Sequence, residues 1–168
     1  MVELILLRHA KSDWGAPSAD DADRPLNPRG REAAGAMCRV LTLAGRAPDL
    51  VICSPARRAR ETADLAATAG EWAAPIVADP RLSPGSPAAV VAVVRERAGR
   101  AGRVLCVGHE PAWSQTTAVL TGGGRLKMPT GTAACLEAPS WEALGPGTAT
   151  LLWVLPPRLF TDGRFPLL

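Results

Sequence analysis

Val2 to Leu7 is an apolar run broken only by Glu3, and it stops at Arg8-His9, the pattern of a strand buried on both faces. Residues 49–53 and 104–107 repeat that pattern, and 75–78 is short enough for an edge strand. Between these runs the apolar positions change to helical spacing. Asn27 followed by Pro28 starts one helix, which carries Met37, Val40, Leu41 and Ala44 on one side before Gly45. Ser54-Pro55 predicts a second helix through Ala59, Ala63 and Ala66 to Gly70, with Ser54 as its N-cap. Ser86-Pro87 opens a third, reaching Arg97 or Ala98, where the start signal outweighs the strand preference of its four valines. A fourth spans about Ala112 to Leu120 and stops at Gly122-Gly123-Gly124, which lacks the Gly-Lys-Ser/Thr that would make it a phosphate loop. Residues 132–137 and 148–155 read as two further strands, 11–26 as a polar loop, and the tail from Pro156 has no assignable pattern. Strands alternating with helices predict an α/β fold. The expected form is a three-layer α/β/α sandwich with a mostly parallel sheet and a mixed or antiparallel addition at the end.

The length of 168 residues suits one domain over 1–168, and 47% hydrophobic residues suffice for a core. Seventeen arginines and two lysines give a net charge of only +3, so bulk charge predicts no nucleic-acid partner. No apolar stretch approaches the ~20 residues of a membrane span, and the start lacks the basic, longer apolar profile of an export signal. A cytoplasmic protein with no membrane partner is the expectation. Cys38, Cys53, Cys106 and Cys135 are widely spaced and without a C-x-x-C pair, which predicts buried thiols and no metal site. Histidine chemistry must use His9 and His109, because there are no others.

Both histidines follow strands, as does the arginine-rich start of the second helix. In open α/β sheets ligands bind at the carboxyl ends of strands, where helix N-termini converge. If these strands are neighbours, two imidazoles and at least two guanidiniums share a pocket suited to an anion, and phosphate fits the bidentate geometry of arginine. A neutral imidazole there is a competent nucleophile, and arginines stabilise charge on the phosphoryl oxygens, so this chemistry calls for no metal and no cofactor.

Leu7-Arg8-His9-Ala10 resembles the Arg-His-Gly signature of the histidine phosphatase superfamily, the phosphoglycerate-mutase-like proteins. Ser54-Pro-Ala-Arg-Arg58-Ala-Arg-Glu-Thr62-Ala looks like that family's second arginine motif, and Val107-Gly-His109 like its second histidine motif. The short length, Asp23-Arg-Pro-Leu-Asn-Pro-Arg-Gly30 and Gly108-His-Glu-Pro111 are similar to the SixA-type phosphohistidine phosphatases. The resemblance implies a phosphoglycerate-mutase-like fold, with His9 as nucleophile, Arg8 and Arg58 as catalytic and substrate-binding phosphate clamps, and His109 binding the phosphoryl group and its transition state. Arg57 and Arg60 match no role and are expected on a solvated face.

Two departures from the family pattern bear on substrate. Many members use a glutamate proton donor after the third strand, where this chain has Asp79-Pro-Arg81-Leu82-Ser-Pro-Gly85, with Arg81 near the expected place of the acid. Glu110 is the possible proton donor, with Asp79 and Asp13 as alternatives. Gly15 stands where relatives often carry Asn, which removes one expected phosphate contact. An imidazole leaving group tolerates a missing acid far better than an alkoxide does. The expected function is therefore a metal-independent phosphatase with a phosphohistidine intermediate, acting on phosphorylated protein and preferably on phosphohistidine. The alternatives are a small-molecule phosphomonoesterase and a catalytically weak phosphate-binding module. Trp14 and Trp113, near the motifs, are candidates to line the site, and the oligomeric state is not legible.

Overall fold

The computed structural model describes residues 1–17 and 20–162. Six strands form one mixed sheet: β1 (Val2–Arg8), β2 (Leu50–Cys53), β3 (Ile76–Ala78), β4 (Arg103–Gly108), β5 (Ala133–Ala138) and β6 (Thr150–Leu155). Their order is β3-β2-β4-β1-β5-β6. The first four positions are parallel, β5 pairs antiparallel with β1, and β6 pairs antiparallel with β5, the mixed addition that the sequence pattern predicts. The helices are α1 (Pro28–Leu43), α2 (Arg57–Gly70), α3 (Pro87–Arg97), α4 (Ala112–Leu120) and, in the tail, the short α5 (Arg158–Thr161). The unassigned tail thus contains one helical turn, and its last six residues lie outside the described ones.

The layers follow from the alternation of side chains along the central strands. Ile5 and Leu7 of β1 turn to one face, where Met37 and Leu41 of α1 and the small Ala59, Ala63 and Ala66 of α2 cover them. Leu4 and Leu6 turn to the other, against Val93 and Val94 of α3 and Trp113 and Leu120 of α4. Cover on both faces explains why β1 and β4 read as continuous apolar runs rather than alternating ones. Glu3, the interruption in β1, is held by Arg46 and Arg103 at the amino end of the strand. All four cysteines are free and buried, and burial pushes every thiol up, Cys53 to about 11 and Cys135 to about 12. They fill the core as small apolar side chains.

Helix starts follow the predicted grammar with one exception. Asn27 Oδ1 accepts from Gly30 N at 2.8 Å, and Ser86 Oγ from Ala89 N at 3.2 Å, with Pro28 and Pro87 beside them. The expected cap at Ser54 is not formed: α2 begins at Arg57, with Ala56 before it and no side-chain cap bond. The Ser54 hydroxyl accepts from Ala56 N at 3.3 Å just ahead of the helix and also lies 2.8 Å from His109 Nε2, so the same group serves a local turn and a tertiary contact.

No helix among the described residues is long and apolar enough to cross a membrane, and no group of three or more His, Cys, Asp or Glu among them is placed to hold a metal ion.

Gly30 governs how the loop after β1 sits on α1. A Cβ there would lie 2.1 Å from the backbone oxygen of Lys11, which cannot move as a side-chain tip does. Gly30→Ala is expected to destabilise the fold by about 1–3 kcal/mol through overpacking. Gly35→Ala, whose Cβ meets only side-chain atoms at 3.4 Å and beyond, should be neutral or gain up to about 1 kcal/mol from helix propensity. Urea midpoints of the two variants check the contrast.

Candidate active site

The in-register parallel pairing of β1 with β4 sets Arg8 opposite Gly108, and β2 on the far side of β4 sets Cys53 opposite Val107. The carboxyl ends of three strands therefore meet at one edge of the sheet, each followed at once by a polar motif. His9 continues β1, His109 continues β4, and Arg58 lies in the first turn of α2 just past β2. The ring centroids of His9 and His109 are 5.1 Å apart, and Arg58 Nη2 is 3.5 Å from His109 Nδ1. All four residues singled out in the sequence, Arg8, His9, Arg58 and His109, line a single cavity of about 470 Å³, and Glu110 is on its wall.

His9 is 8% exposed, and its Nδ1 donates to the backbone oxygen of Ala10 at 2.8 Å. A carbonyl can only accept, so the proton is on Nδ1 and the lone pair of the neutral ring is on Nε2. The Ala10 peptide is fixed in turn, its N–H donating to Thr62 Oγ1 at 3.0 Å while that hydroxyl donates to the Arg58 carbonyl at 2.6 Å. Thr62, one turn after Arg58 on α2, thereby ties the second motif to the first. Burial drives the His9 pKa down to about 3, with His109, Arg58 and Arg8 adding repulsion against the Ala10 bond. Burial, then Arg58, lowers His109 to about 4. Both rings are neutral at pH 7.

Ser54 can donate to or accept from His109 Nε2, so it supports either tautomer. Arg58 Nη2, which can only donate, faces Nδ1, so in the free site the ring's proton is on Nε2 and is donated to Ser54. Once an anion engages Arg58 and the hydroxyl turns to donate, the proton sits on Nδ1, where the anion accepts it.

The guanidiniums are only partly satisfied. Arg8 donates from Nη1 to the Met128 carbonyl at 2.8 Å, and Arg58 from Nη1 to the Asp21 carbonyl at 2.8 Å, with its Nη2 3.1 Å from the Asp21 carboxylate. The Nε atoms of both are buried and have no hydrogen-bond partner among the described residues. Two guanidiniums and two neutral imidazoles lining one cavity fit a tetrahedral oxyanion, which accepts from several directions at once.

Neither alternative acid from the sequence is a free carboxyl at this site. Asp79 is 1% exposed and takes bonds from Arg81 N, Nε and Nη2 and from Arg97 Nε, which hold its pKa well below the usual range despite burial. It binds the segment 79–82 to α3 and is not on the cavity wall, nor is Arg81. Asp13 accepts from Gly15 N at 2.9 Å within its loop and also lies off the wall. Glu110 receives Ser114 N on one oxygen at 3.0 Å and Ser114 Oγ on the other at 2.6 Å, so it caps the start of α4. Trp113 is a core residue, its ring filling the space beside Gly108. Arg57 and Arg60 are exposed, Arg57 pairing with Glu61.

The loop read simply as polar contributes more than its composition announces. Lys11, Ser12, Trp14, Asp21 and Arg24 all line the cavity. The base of the loop is closed by a Ser12–Leu26 bridge and an Asp13 N to Pro25 O bond of 2.8 Å. Arg24, 7% exposed, is bound to Asp21 and to Ser12 Oγ and lies under Trp14. The available signal was a tryptophan and an arginine in a loop directly after a motif strand, a position where function concentrates.

The profile of the histidine phosphatase superfamily (branch 1) matches residues 4–83. An uncharacterised protein of Mycobacterium tuberculosis (strain H37Rv) is 36% identical over 163 residues, covering 90% of this chain and 100% of that one. Among solved structures, a protein of Agrobacterium tumefaciens assigned as a phosphohistidine phosphatase SixA superposes with a TM-score of 0.76 at 25% identity, over 92% of this chain and 97% of the other. The protein histidine phosphatase SixA complexed with tungstate superposes at 0.82 and 22% identity, over 93% and 97%. The expected phosphoglycerate-mutase-like fold is thus observed, and the chain belongs to the histidine phosphatase superfamily, as one of its phosphatases.

Proposed function

We propose that the chain is a phosphohistidine phosphatase working through a phospho-His9 intermediate. His9 Nε2 attacks phosphorus as the P–N bond of the donor breaks; the donor ring, protonated from solvent on its other nitrogen, takes the electron pair and departs as neutral imidazole. Water then attacks the phosphorus of phospho-His9, releasing inorganic phosphate and returning the ring to its neutral form. Arg8 and Arg58 hold the phosphoryl oxygens in both steps, and His109 donates from Nδ1 to the charge that gathers on them.

The observation that carries this reading is the Nδ1 bond to Ala10, which leaves Nε2 of a neutral ring as the free nucleophilic nitrogen in a cavity it shares with Arg8 and Arg58. Choice of substrate rests on the acids. Asp21 is held below the usual carboxylate range, first by the Arg24 bond, and Glu110 has both oxygens engaged by Ser114. Neither favours donation of a proton to a poor leaving group, whereas a phosphohistidine ring takes a proton from water on its second nitrogen near pH ~6.5 and then departs as neutral imidazole without a protein acid. The likeness in fold to SixA phosphohistidine phosphatases supports the same choice.

Quenched-flow with radiolabelled donors is expected to trap an acid-labile phosphoenzyme that His9→Ala does not form. Turnover of a phosphohistidine peptide should exceed that of an alkyl phosphate by about a hundredfold or more, the usual scale of a general-acid contribution. Equal rates would show that an acid is supplied. With only two histidines in the chain, their titration is directly readable by NMR. Free enzyme should show both imidazoles neutral down to about pH 5, with midpoints near the values of about 3 and about 4. The unfolded chain takes up these protons near pH 6.5 and the folded one does not, so stability should fall as pH drops below about 6.5. Tungstate, an anion that favours imidazolium, should raise both midpoints.

A further inference from the structure

Trp14 is 81% exposed, a costly position for the largest apolar side chain, yet it is not loose. The Arg24 guanidinium lies 3.5 Å from the centre of its ring, close enough for a cation–π contact. Arg24 is anchored independently by Asp21 and Ser12, inside a loop whose base is bridged by Ser12 and Leu26. One face of the indole is thereby fixed against a buried cation, while the high exposure leaves the other open. Burial in a core does not account for this arrangement, because the residue is 81% exposed.

The cavity supplies the reason. At about 470 Å³ it is several times larger than a phosphoryl group, whose position the buried His9 and His109, with Arg8 and Arg58, define. The remaining volume, toward Trp14, Lys11, Ser83, Pro84 and Thr130, must receive the rest of the donor. A rigid aromatic plane at that position selects a flat group by stacking. Its charge preference follows from Arg24: with one cation already on the ring, a second on the opposite face is repelled, so a neutral ring is favoured over an ammonium or guanidinium.

We propose that Trp14, backed by Arg24, is a leaving-group subsite that receives a neutral planar nitrogen heterocycle, the imidazole of a phosphohistidine side chain. This deepens and rests on the function proposed above. It makes Trp14 a specificity-determining residue for the group that departs, distinct from the groups that hold phosphorus.

The test compares three donors that all break a P–N bond: a phosphohistidine peptide, a phospholysine peptide of the same sequence, and phosphoramidate, which has neither ring nor peptide. Trp14→Ala is expected to lower the kcat/KM ratio of phosphohistidine peptide to phosphoramidate roughly three- to tenfold, mainly through KM, the range of one aromatic stacking contact. Trp14→Phe should restore most of that ratio. The ratio of phospholysine peptide to phosphoramidate should change less than twofold. A fall in both peptide ratios together would mean that Trp14 grips the peptide backbone, and unchanged ratios would mean that it only shapes the loop; either overturns the subsite. Phosphoenzyme trapping from phosphoramidate separates the two levels. A wild type that traps phosphate on His9 but shows no dependence on Trp14 overturns this inference alone, and one that traps none from any donor overturns the phosphatase mechanism and the subsite with it.

Discussion

The site depends on one constraint, the in-register parallel pairing of β1 with β4. Parallel neighbours end at the same edge of a sheet, so the residues that follow Arg8 and Gly108 leave from adjacent points in the same direction. His9 and His109, a hundred residues apart in the chain, are thereby held with ring centres 5.1 Å apart. The pairing itself is stabilised by burial on both faces, with alternate side chains of β1 packed under α1 and α2 on one side and under α3 and α4 on the other. A shift of one residue in that register would exchange the two sets of side chains and separate the imidazoles. Core packing and active-site geometry are therefore one requirement.

Electrostatics then works on a frame already set. Burial and nearby arginines keep the imidazoles neutral, while the same arginines retain unmet donors. The pocket is short of negative charge, and the carboxylates near it are occupied: Asp21 by Arg24 and Arg58, Glu110 by Ser114 at the start of α4. Its preference for a phosphoryl group and its lack of a free acid thus arise from the same distribution of charge. The loop 11–26 shares in this, because Asp21 both steadies Arg58 and anchors the Arg24 that lies under Trp14.

Local signals were readable where one segment's chemistry decides the outcome. Apolar runs marked the strands because both faces are buried, and Asn27-Pro28 and Ser86-Pro87 marked helix starts because a side-chain oxygen beside proline satisfies free N–H groups. Ser54 carried the same signal and does accept from Ala56 N, yet α2 begins only at Arg57. Its hydroxyl had a second use, a bond to His109 fifty-five positions away, that no local rule contains. Asp79 is similar: in the sequence it was an acid near the expected place, and in the fold it is a buried anchor for Arg81 and Arg97. Trp14 was legible as a candidate for the site from its nearness to the first motif, but the part of Arg24 was obscured because a polar loop has no periodicity from which to read a direction.

By itself, the sequence determined the class of fold, the two histidines available for chemistry, and the motifs that carry the resemblance to the histidine phosphatase superfamily. All of these are properties of residue type and short-range order. Only the tertiary structure decided which nitrogen of His9 is free, which carboxylates are already spent, and what surrounds the phosphoryl site. Those depend on which groups fill each other's hydrogen-bonding capacity across the sheet edge, and that pairing exists only once strands distant in sequence lie side by side.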